Sequence, residues 1–419
     1  MKADFTVGSE VIASVTRTAY ETAMDLAKSK GVDRNHALHL MASAIKKHQN
    51  AILEANTLDL EASREMAVPE LLVDWLKLTP ERIQATVQIL QRLGELSDPT
   101  QPIMNSIYQV DQCQTYTQLV PLGVIALIYE SFPELGAIVA GLCLKTGNSV
   151  ILRGGTEAAH TNGIIAEILQ TSLDGAGFSP TCLQLLTTEQ GTSTRDLIIQ
   201  DQYINLVIPY GRPSLVQQVM RQAATPVLKP GIGNCYLYWS ASASFDLVRF
   251  MILDSHQGEP DRVNAIEKVL LDPTLNHTVL SMLWNSLREK GFIIRGDEEL
   301  VSEFPDVSLT KTNEWTEPYF KKIVAFKWID SLDGAIAWMN SHSSGHADCL
   351  ATESYQESRQ FATGIIAAFS YINASPRFYR NPKGGRAIAL GISNQKGYRR
   401  GLIGLEALTT VKYILQGNG

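Results

Sequence analysis

Two short stretches of this 419-residue chain place reactive residue types where strands should end. Residues 130–134 (Glu-Ser-Phe-Pro-Glu) set two carboxylates after an apolar run. Arg153, Gly154, Gly155, Thr156 and Glu157 follow the next apolar run. An arginine, two glycines and a hydroxyl ahead of a helix make a turn whose backbone N–H groups suit a phosphate or a ribose, and a plain βα turn has the same composition. A carboxylate such as Glu134 acts as an acid or base, or is a solvated loop charge. His342, His346 and Cys349 have a spacing that invites a metal. No fourth ligand accompanies them, so they read as ordinary polar residues and no metal is expected. The chain contains neither a Walker phosphate loop, nor G-x-G-x-x-G after a strand, nor a G-x-S-x-G elbow.

The elements that must position these residues form a βαβ unit over 123–156. Val, Ile and Leu fill both strand runs without alternation, as in strands covered on both faces. Pro133 suits a first helical turn, and Thr146-Gly147-Asn148 supplies the stop. A parallel pair with a right-handed crossover binds ligands at the carboxyl ends of its strands, which are the two reactive stretches. Upstream, the chain is predicted helical to about residue 95, with Asp33 and Thr79 as N-caps and Gly94 as a stop. Residues 107–119 are polar and roughly alternating, an exposed strand that is an association hazard unless paired. Downstream, strands at 182–186, 204–209 and 226–228 alternate with helices at 159–173, 193–200 and 213–224. A glycine-rich crossing at 230–234 leads to a second α/β region, with strands at 235–239, 292–295, 323–328 and 367–373. The loop 375–386 is rich in Arg, Gly, Pro and Lys, and the final extended stretch is well placed to pair with 107–119.

Composition narrows the function. Hydrophobic residues are 45% and charged residues 19%, with a net charge of -7. That balance describes a globular chain with ample core and argues against nucleic acid as a partner. The longest apolar run is too short to span a bilayer, and no leader pattern precedes residue 30. Five scattered cysteines, an odd number, predict reduced thiols in a cytoplasmic protein.

Several ordered stretches then carry a family resemblance over nearly the whole length. They are Ala55-Asn56 with Asp59, PLGVIALIYES (121–131), LCLKTGNSVILRGGTEA (142–158), GNCYLY (233–238), Asn264-Ala265-Ile266-Glu267, HADC (346–349), YINAS (371–375) with Phe378, and GLEALTT (404–410). The sequence resembles the γ-glutamyl phosphate reductases, or glutamate-5-semialdehyde dehydrogenases, of the aldehyde dehydrogenase superfamily. The resemblance implies an α/β, aldehyde-dehydrogenase-like fold: two doubly wound Rossmann-like domains plus a β-arm for oligomerisation. The cofactor-binding domain would take residues 1–106 and 122–234, the catalytic-type domain 235–374, and the arm 107–121 and 400–419. It also implies NADP(H), a small-molecule ligand and a homo-oligomer, with no nucleic-acid or membrane partner. The implied cofactor contacts are Arg153, Gly154, Gly155, Thr156, Glu157 and Gly211. The implied substrate pocket is Asn264, Asn373, Ser375 and Arg377.

In this family a cysteine thiolate attacks the acyl phosphate, expels phosphate and leaves a thioester that takes hydride from NADPH. The family's Cys-Asn-Ala-x-Glu-Thr motif is met here by Val263, Asn264, Ala265, Ile266, Glu267 and Lys268, so Val263 stands at the cysteine position. Cys235 and Cys349 read as small buried residues entering strands. Three further positions depart. Phe132-Pro133-Glu134 replaces Arg-Pro-Asn, putting Glu134 where an oxyanion donor is expected. Tyr210-Gly211-Arg212 replaces Arg-Gly-Gly. Gly384-Gly385-Arg386-Ala387-Ile388-Ala389 puts Ala389 where a glutamate is expected. No catalytic set is intact. The expectation is a descendant of a proline-biosynthesis reductase whose family activity is lost or altered. The alternatives are a non-catalytic paralogue that binds a ligand or a partner, and a changed enzyme using Glu134 without a thiol.

Overall fold

The computed structural model describes residues 2–100, 103–187, 191–258, 261–385, 387–395 and 399–417. The chain forms two compact units. The first takes residues 1–229, 380–390 and 402–419, the second 230–379 and 391–401. The boundary between them falls between Lys229 and Pro230 rather than after residue 234, and 380–390 returns to the first unit.

The first unit opens with helices α1 (Lys2–Leu26), α2 (Gly31–Lys47), α3 (Gln49–Glu65), α4 (Glu70–Leu76) and α5 (Pro80–Glu95). Thr79 caps α5 as predicted: its hydroxyl accepts the Arg82 N–H at 3.3 Å, with Pro80 at the first helical position. Two expectations are corrected here. Asp33 is not the N-cap of α2, which begins after Lys30; it lies in the first turn, near the positive end of the helix dipole. Gly94 is the penultimate residue of α5, which ends at Glu95, so it is not itself the stop. It packs closely on α2, where a Cβ would stand 2.7 Å from His39 Nε2.

After strands β1 (Ile103–Asn105) and β2 (Cys113–Pro121) come β3 (Val124–Tyr129), α6 (Pro133–Thr146), β4 (Ser149–Gly154), α7 (Ala159–Gly175), β5 (Leu183–Leu185), α8 (Thr194–Ile198), β6 (Leu206–Tyr210) and α9 (Pro213–Gln222). The parallel sheet has the order β5-β4-β3-β6, with Val124↔Ser149 through Tyr129↔Gly154 in register. Every residue of β3 is buried, as its unbroken apolar run requires. α6 ends on Gly147, whose φ of +80° is left-handed, with the Asn148 N–H reaching Cys143 O at 2.8 Å. The strand expected at 226–228 reduces to a single bridge, Val207↔Val227.

The second unit contains β7 (Pro230–Gly231), β8 (Cys235–Trp239), α10 (Phe245–Ser255), β9 (Ile266–Leu271), α11 (His277–Glu289), β10 (Ile293–Gly296), α12 (Glu298–Glu303), β11 (Ser308–Leu309), β12 (Ile323–Trp328), α13 (Leu332–His342), β13 (Ala347–Ala351), α14 (Tyr355–Gly364) and β14 (Phe369–Ile372). Its parallel sheet runs β11-β10-β12-β9-β8-β13-β14. Successive residues of β8 feed opposite faces. Leu237 and Trp239 pack with Met251, Trp284 and Phe326, while Tyr236 and Tyr238 pack with Trp315 and Phe361. β9 has no predicted counterpart, although it sits at the middle of the sheet.

The chain closes with β15 (Ala389–Ser393), β16 (Gly401–Gly404) and β17 (Thr409–Gly417). β17 pairs antiparallel with β2 from Thr409↔Pro121 to Gly417↔Cys113. The single strand expected over 107–119 is instead a hairpin, with Ile103↔Gln118 to Asn105↔Tyr116 paired and residues 106–112 looping out. Arg386 lies outside the described residues, and Ala389 is buried at the start of β15.

One buried ion pair ties α2 to the segment after α5. Arg34 Nη2 lies 2.7 Å from Asp98 Oδ2, with side chains 2% and 8% exposed. Burial pulls the Asp98 carboxyl upward, but the Thr100 N–H and hydroxyl, then the Arg34 charge, outweigh it and hold it below the usual carboxylate range. Arg34→Met leaves that carboxylate buried without its cation and is expected to destabilise the first unit by about 3–5 kcal/mol in urea denaturation at neutral pH. Because the folded carboxyl titrates below the unfolded one, the pair's contribution is complete above about pH 4 and is lost on further acidification. The gap between wild type and variant should close there.

Candidate functional site

The turn after β3 is wired to its neighbours by carboxylates. Glu130 accepts the Arg212 backbone N–H at 2.9 Å and Arg212 Nη2 at 2.8 Å. These hydrogen bonds, with Glu130 charge, push the Arg212 guanidinium above its ordinary value despite partial burial. Arg212 therefore folds back on the strand end. Gly211 beside it is required: its φ is +155°, and a Cβ would stand 2.7 Å from Glu130 Oε2. Phe132 is fully buried, stacked on Trp75 with centroids 4.6 Å apart and edge-on to Tyr210. Glu134, expected where an oxyanion donor stands, is held as an acceptor by Arg82, whose Nε lies 3.2 Å from Oε1. Arg82 also reaches the carbonyls of Trp75 and Lys77. Glu134 Oε2 is buried with no hydrogen-bond partner.

The Arg153–Glu157 turn differs from its expected wiring. The Arg153 guanidinium, expected at the cofactor, instead holds Leu186 O and Thr192 O at 3.3 and 3.0 Å, with burial lowering its pKa. Glu157 Oε1 accepts both the N–H and the hydroxyl of Ser131 at 2.8 Å. The helix that follows has its donors taken as well. Asp59, buried on α3, accepts the N–H groups of His160 and Thr161 at 3.0 and 2.8 Å, the Thr161 hydroxyl at 2.5 Å, and His160 Nδ1 at 2.9 Å. A phosphate cannot use those donors. What remains open is a cavity of about 240 Å³ lined by Gly154, Gly155, Thr156 and His160, with Leu185 and Leu186 on its apolar side.

In the second unit, Val263 and Asn264 lie in a buried turn ahead of β9. Val263 O accepts the Gly233 N–H at 2.9 Å and His346 Nε2–H at 2.8 Å. Asn264 Nδ2 reaches Pro376 O at 2.7 Å, and its Oδ1 is buried without a partner. Ser375 and Arg377 meet on Asp254, at 2.6 and 3.3 Å. Asn264, Ser375 and Arg377 are thus gathered around the 375–377 turn. Asn373 is not among them: in a left-handed conformation, it pairs with the backbone of Thr352 through both side-chain atoms. His342 stacks on Trp338, while His346 turns to Val263 and Ser344. The three residues with metal-like spacing have separate contacts.

The four buried thiols, Cys143, Cys182, Cys235 and Cys349, are not poised for attack. Cys235 Sγ lies 3.5 Å from His346 Nε2, but the proton on that nitrogen goes to Val263 O. Burial pushes the Cys235 thiol far above its ordinary pKa, with Asp348, Cys349 and Glu267 adding to the effect. Cys349 and Cys143 are raised by burial in the same way, and Cys182 is pushed up to about 12. Asp348 is itself raised to about 7 by burial, against the pull of the Ser343 hydroxyl and Tyr236 N–H.

Sequence reasoning missed Arg82, Asp254 and His160 as members of these sites, and Asp59 entered only beside Asn56 in a stretch that carries the family resemblance. Comparison with known proteins adds the following. Residues 6–232 match the aldehyde dehydrogenase family. The chain is 54% identical to gamma-glutamyl phosphate reductase 2 of Synechocystis sp., covering 92% of each chain. It is 36% identical to gamma-glutamyl phosphate reductase of Gloeobacter violaceus, covering 98% of each. Among solved structures, gamma-glutamyl phosphate reductase of Thermotoga maritima matches with a TM-score of 0.86 at 30% identity, covering 97% of this chain and 98% of that one. An NADP complex of glyceraldehyde-3-phosphate dehydrogenase from Methanocaldococcus jannaschii shares the fold, with a TM-score of 0.69 at 13% identity over 98% and 95% of the chains.

Asp59 makes a direct test of the α7 wiring. Asp59→Ala removes a cap that serves two backbone N–H groups and is expected to destabilise the first unit by about 2 kcal/mol. Hydrogen exchange at His160 and Thr161 should accelerate, while exchange at the C-terminal end of α7 stays slow.

Proposed function

Because this chain belongs to the γ-glutamyl phosphate reductases of the aldehyde dehydrogenase family, we propose that it descends from the NADPH-linked reductases of proline biosynthesis with the thioester route closed at Val263. In that route a thiolate attacks the γ-acyl carbon, the carbon–oxygen bond to phosphate breaks, and hydride from NADPH displaces the thiolate to give the semialdehyde. An isopropyl side chain has no lone pair for the first step. The burial of Cys235 carries the reading: linked to Val263 through His346, it is fully buried among acidic groups and its thiol is pushed far above its ordinary pKa. Glu134 points the same way, since a carboxylate paired with Arg82 cannot donate to a developing oxyanion.

The residues at the ends of β4 and β5 still fit a nicotinamide nucleotide. The cavity there is lined by Gly154, Gly155 and Thr156 together with apolar Leu185 and Leu186 and polar His160 and Asn162. NADP(H), when bound, supplies or accepts hydride; here Gly154, Gly155 and Thr156 would hold it. The protein then binds a dinucleotide and a small ligand in the cytoplasm, a compartment that suits its free cysteines. A non-catalytic role as ligand-binding or partner subunit is the alternative form of the same loss.

The arm supports assembly of identical copies. Val411, Tyr413 and Leu415 on one face of β17 are 42%, 57% and 46% exposed, opposite Leu119, Thr117 and Thr115. An exposed apolar strand of this length is normally covered.

The reverse reaction tests the first proposal: semialdehyde, phosphate and NADP+ are supplied, and NADPH formation is followed. Turnover is expected to fall at least about 10⁴-fold below a cysteine-bearing relative, with alkylating reagents making no difference. Val263→Cys should recover only part of it, because the missing oxyanion donor alone costs about 10²–10³. Wild-type turnover at the relative's rate, abolished by alkylation, overturns the reading. For the arm, light scattering of full-length chain should give a dimer or larger, and truncation after Leu408 should give monomer; a monomeric full-length chain refutes that part.

A further inference from the structure

We propose that the groove between the ends of α1 and α7 is a binding site for a primary alkylammonium ion, a single cationic nitrogen on a short unbranched chain. Its cavity of about 460 Å³ falls within the ~300–1,000 Å³ of ordinary ligand pockets. It shares no lining residue with the cavity at the ends of β4 and β5 and is independent of a bound nucleotide.

Charge sets the first requirement. Glu21 and Asp25 lie on the last two turns of α1, and Asp33 on the first turn of α2. Glu21 and Asp25 have surface partners in Arg17 and Lys28, whereas Asp33 has no cation within ion-pair distance among the described residues. Three carboxylates against two cations leave room for one further positive charge. The Ser29 hydroxyl donates to Leu26 O at 2.6 Å, which leaves its oxygen lone pairs open. The N–H groups of Ala176, Gly177 and Phe178 are spent on the last carbonyls of α7. Both helices end at the groove, where their dipoles are negative, and neither carries a basic residue in its last turn. An anion would meet carboxylates and spent donors. An ammonium, with three donors and no acceptor, matches the acceptors that line the groove.

The floor sets the second requirement. Leu26, Phe178 and Cys182 form its apolar part. Cys182 is 5% exposed, and its Sγ has no hydrogen-bond partner among the described residues. Burial pushes this thiol up to about 12, so it stays neutral and adds no charge to the floor. Behind it lies a void of about 10 Å³ bounded by Met41, Leu144, Leu173 and Leu183. Leu26 and Cys182 line both spaces and form the partition between them. Asn148 also borders the void, but its amide is engaged by the Thr146 hydroxyl, Leu408 O and the Gly123 N–H. A void without free polar partners suits a methyl group better than a water molecule. An alkyl chain that starts at the carboxylates and passes Leu26 and Cys182 ends in it.

Calorimetric titration of the full chain with ethyl-, butyl- and hexylammonium chloride, and with n-butanol, tests this. Affinity is expected to rise about fourfold per methylene, the value of a CH2 group taken out of water. n-Butanol lacks the charge and should bind at least about tenfold more weakly than butylammonium. Asp33→Asn should weaken all three ammonium ions about fivefold and keep the dependence on chain length. Cys182→Met, which fills the void, should flatten that dependence without weakening ethylammonium; if this variant does not fold, the wild-type series decides alone. Equal affinity for the three chain lengths overturns the proposal, because pairing with surface carboxylates then accounts for the binding. Absence of binding overturns it too, as does n-butanol binding as tightly as butylammonium, or Asp33→Asn binding all three ions like wild type.

Discussion

The carboxylate of Asp59 decides what the first unit can recognise. It is buried, and it remains in place because four donors from the start of α7 converge on its two oxygens. Taking a carboxylate out of water is costly, and hydrogen bonds to the charged form offset the cost only when the lone pairs are filled. The result is a helix N-terminus whose anion site is occupied from inside the protein. A ligand at the β4 end therefore does not use the N–H groups of His160 and Thr161. The same device recurs in the second unit. Glu267 accepts the N–H groups of Asn234, Tyr319 and Phe320, while burial pushes its carboxyl up against those bonds and the Lys268 charge. In both units a carboxylate fixes a loop that side-chain packing alone would leave under-determined.

Around Val263 the electrostatics explain why proximity is not reactivity. A reactive cysteine needs a cation, a helix N-terminus or water to stabilise its thiolate. Cys235 is fully buried, its imidazole neighbour spends its proton on a carbonyl, and Asp348 and Glu267 oppose a thiolate there. The arrangement suits packing: His346 ties the loop before β13 to the turn that bears Val263, and Ser344 completes the link through Nδ1.

Much of the scaffold was legible because burial on both faces writes itself as an unbroken apolar run. β3 and β8 are of this kind throughout and β12 over its first four residues, and their expected and observed spans agree closely. β9 escaped for the converse reason. Glu267 and Lys268 interrupt its run, and the groups that satisfy them, Asn234, Tyr319, Phe320 and Glu317, are distant in sequence. The site was legible as a location and illegible as a circuit. The Arg153–Glu157 turn was found by composition, yet each of its charged groups is committed to a partner that no local pattern names: Arg153 to Leu186 and Thr192, Glu157 to Ser131. The arm shows a third limit, since residues 106–112 have the composition of a strand and form a loop between paired segments.

On the proposed reading of a closed thioester route, Glu134 explains why one substitution at Val263 would not reopen it. Its carboxylate lies in the first turn of α6, where the helix dipole favours it, and Arg82 approaches from α5. The guanidinium spends its other donors on Trp75 and Lys77, so it is fixed by the α4–α5 connection as well as by the glutamate. Returning a neutral amide to position 134 would leave Arg82, only 11% exposed, with a buried charge and no counter-ion. Keeping Glu134 leaves an acceptor where a donor is wanted. The two demands are opposed, because the pair that joins α5 to α6 is the pair that, on the proposed reading, opposes a developing oxyanion.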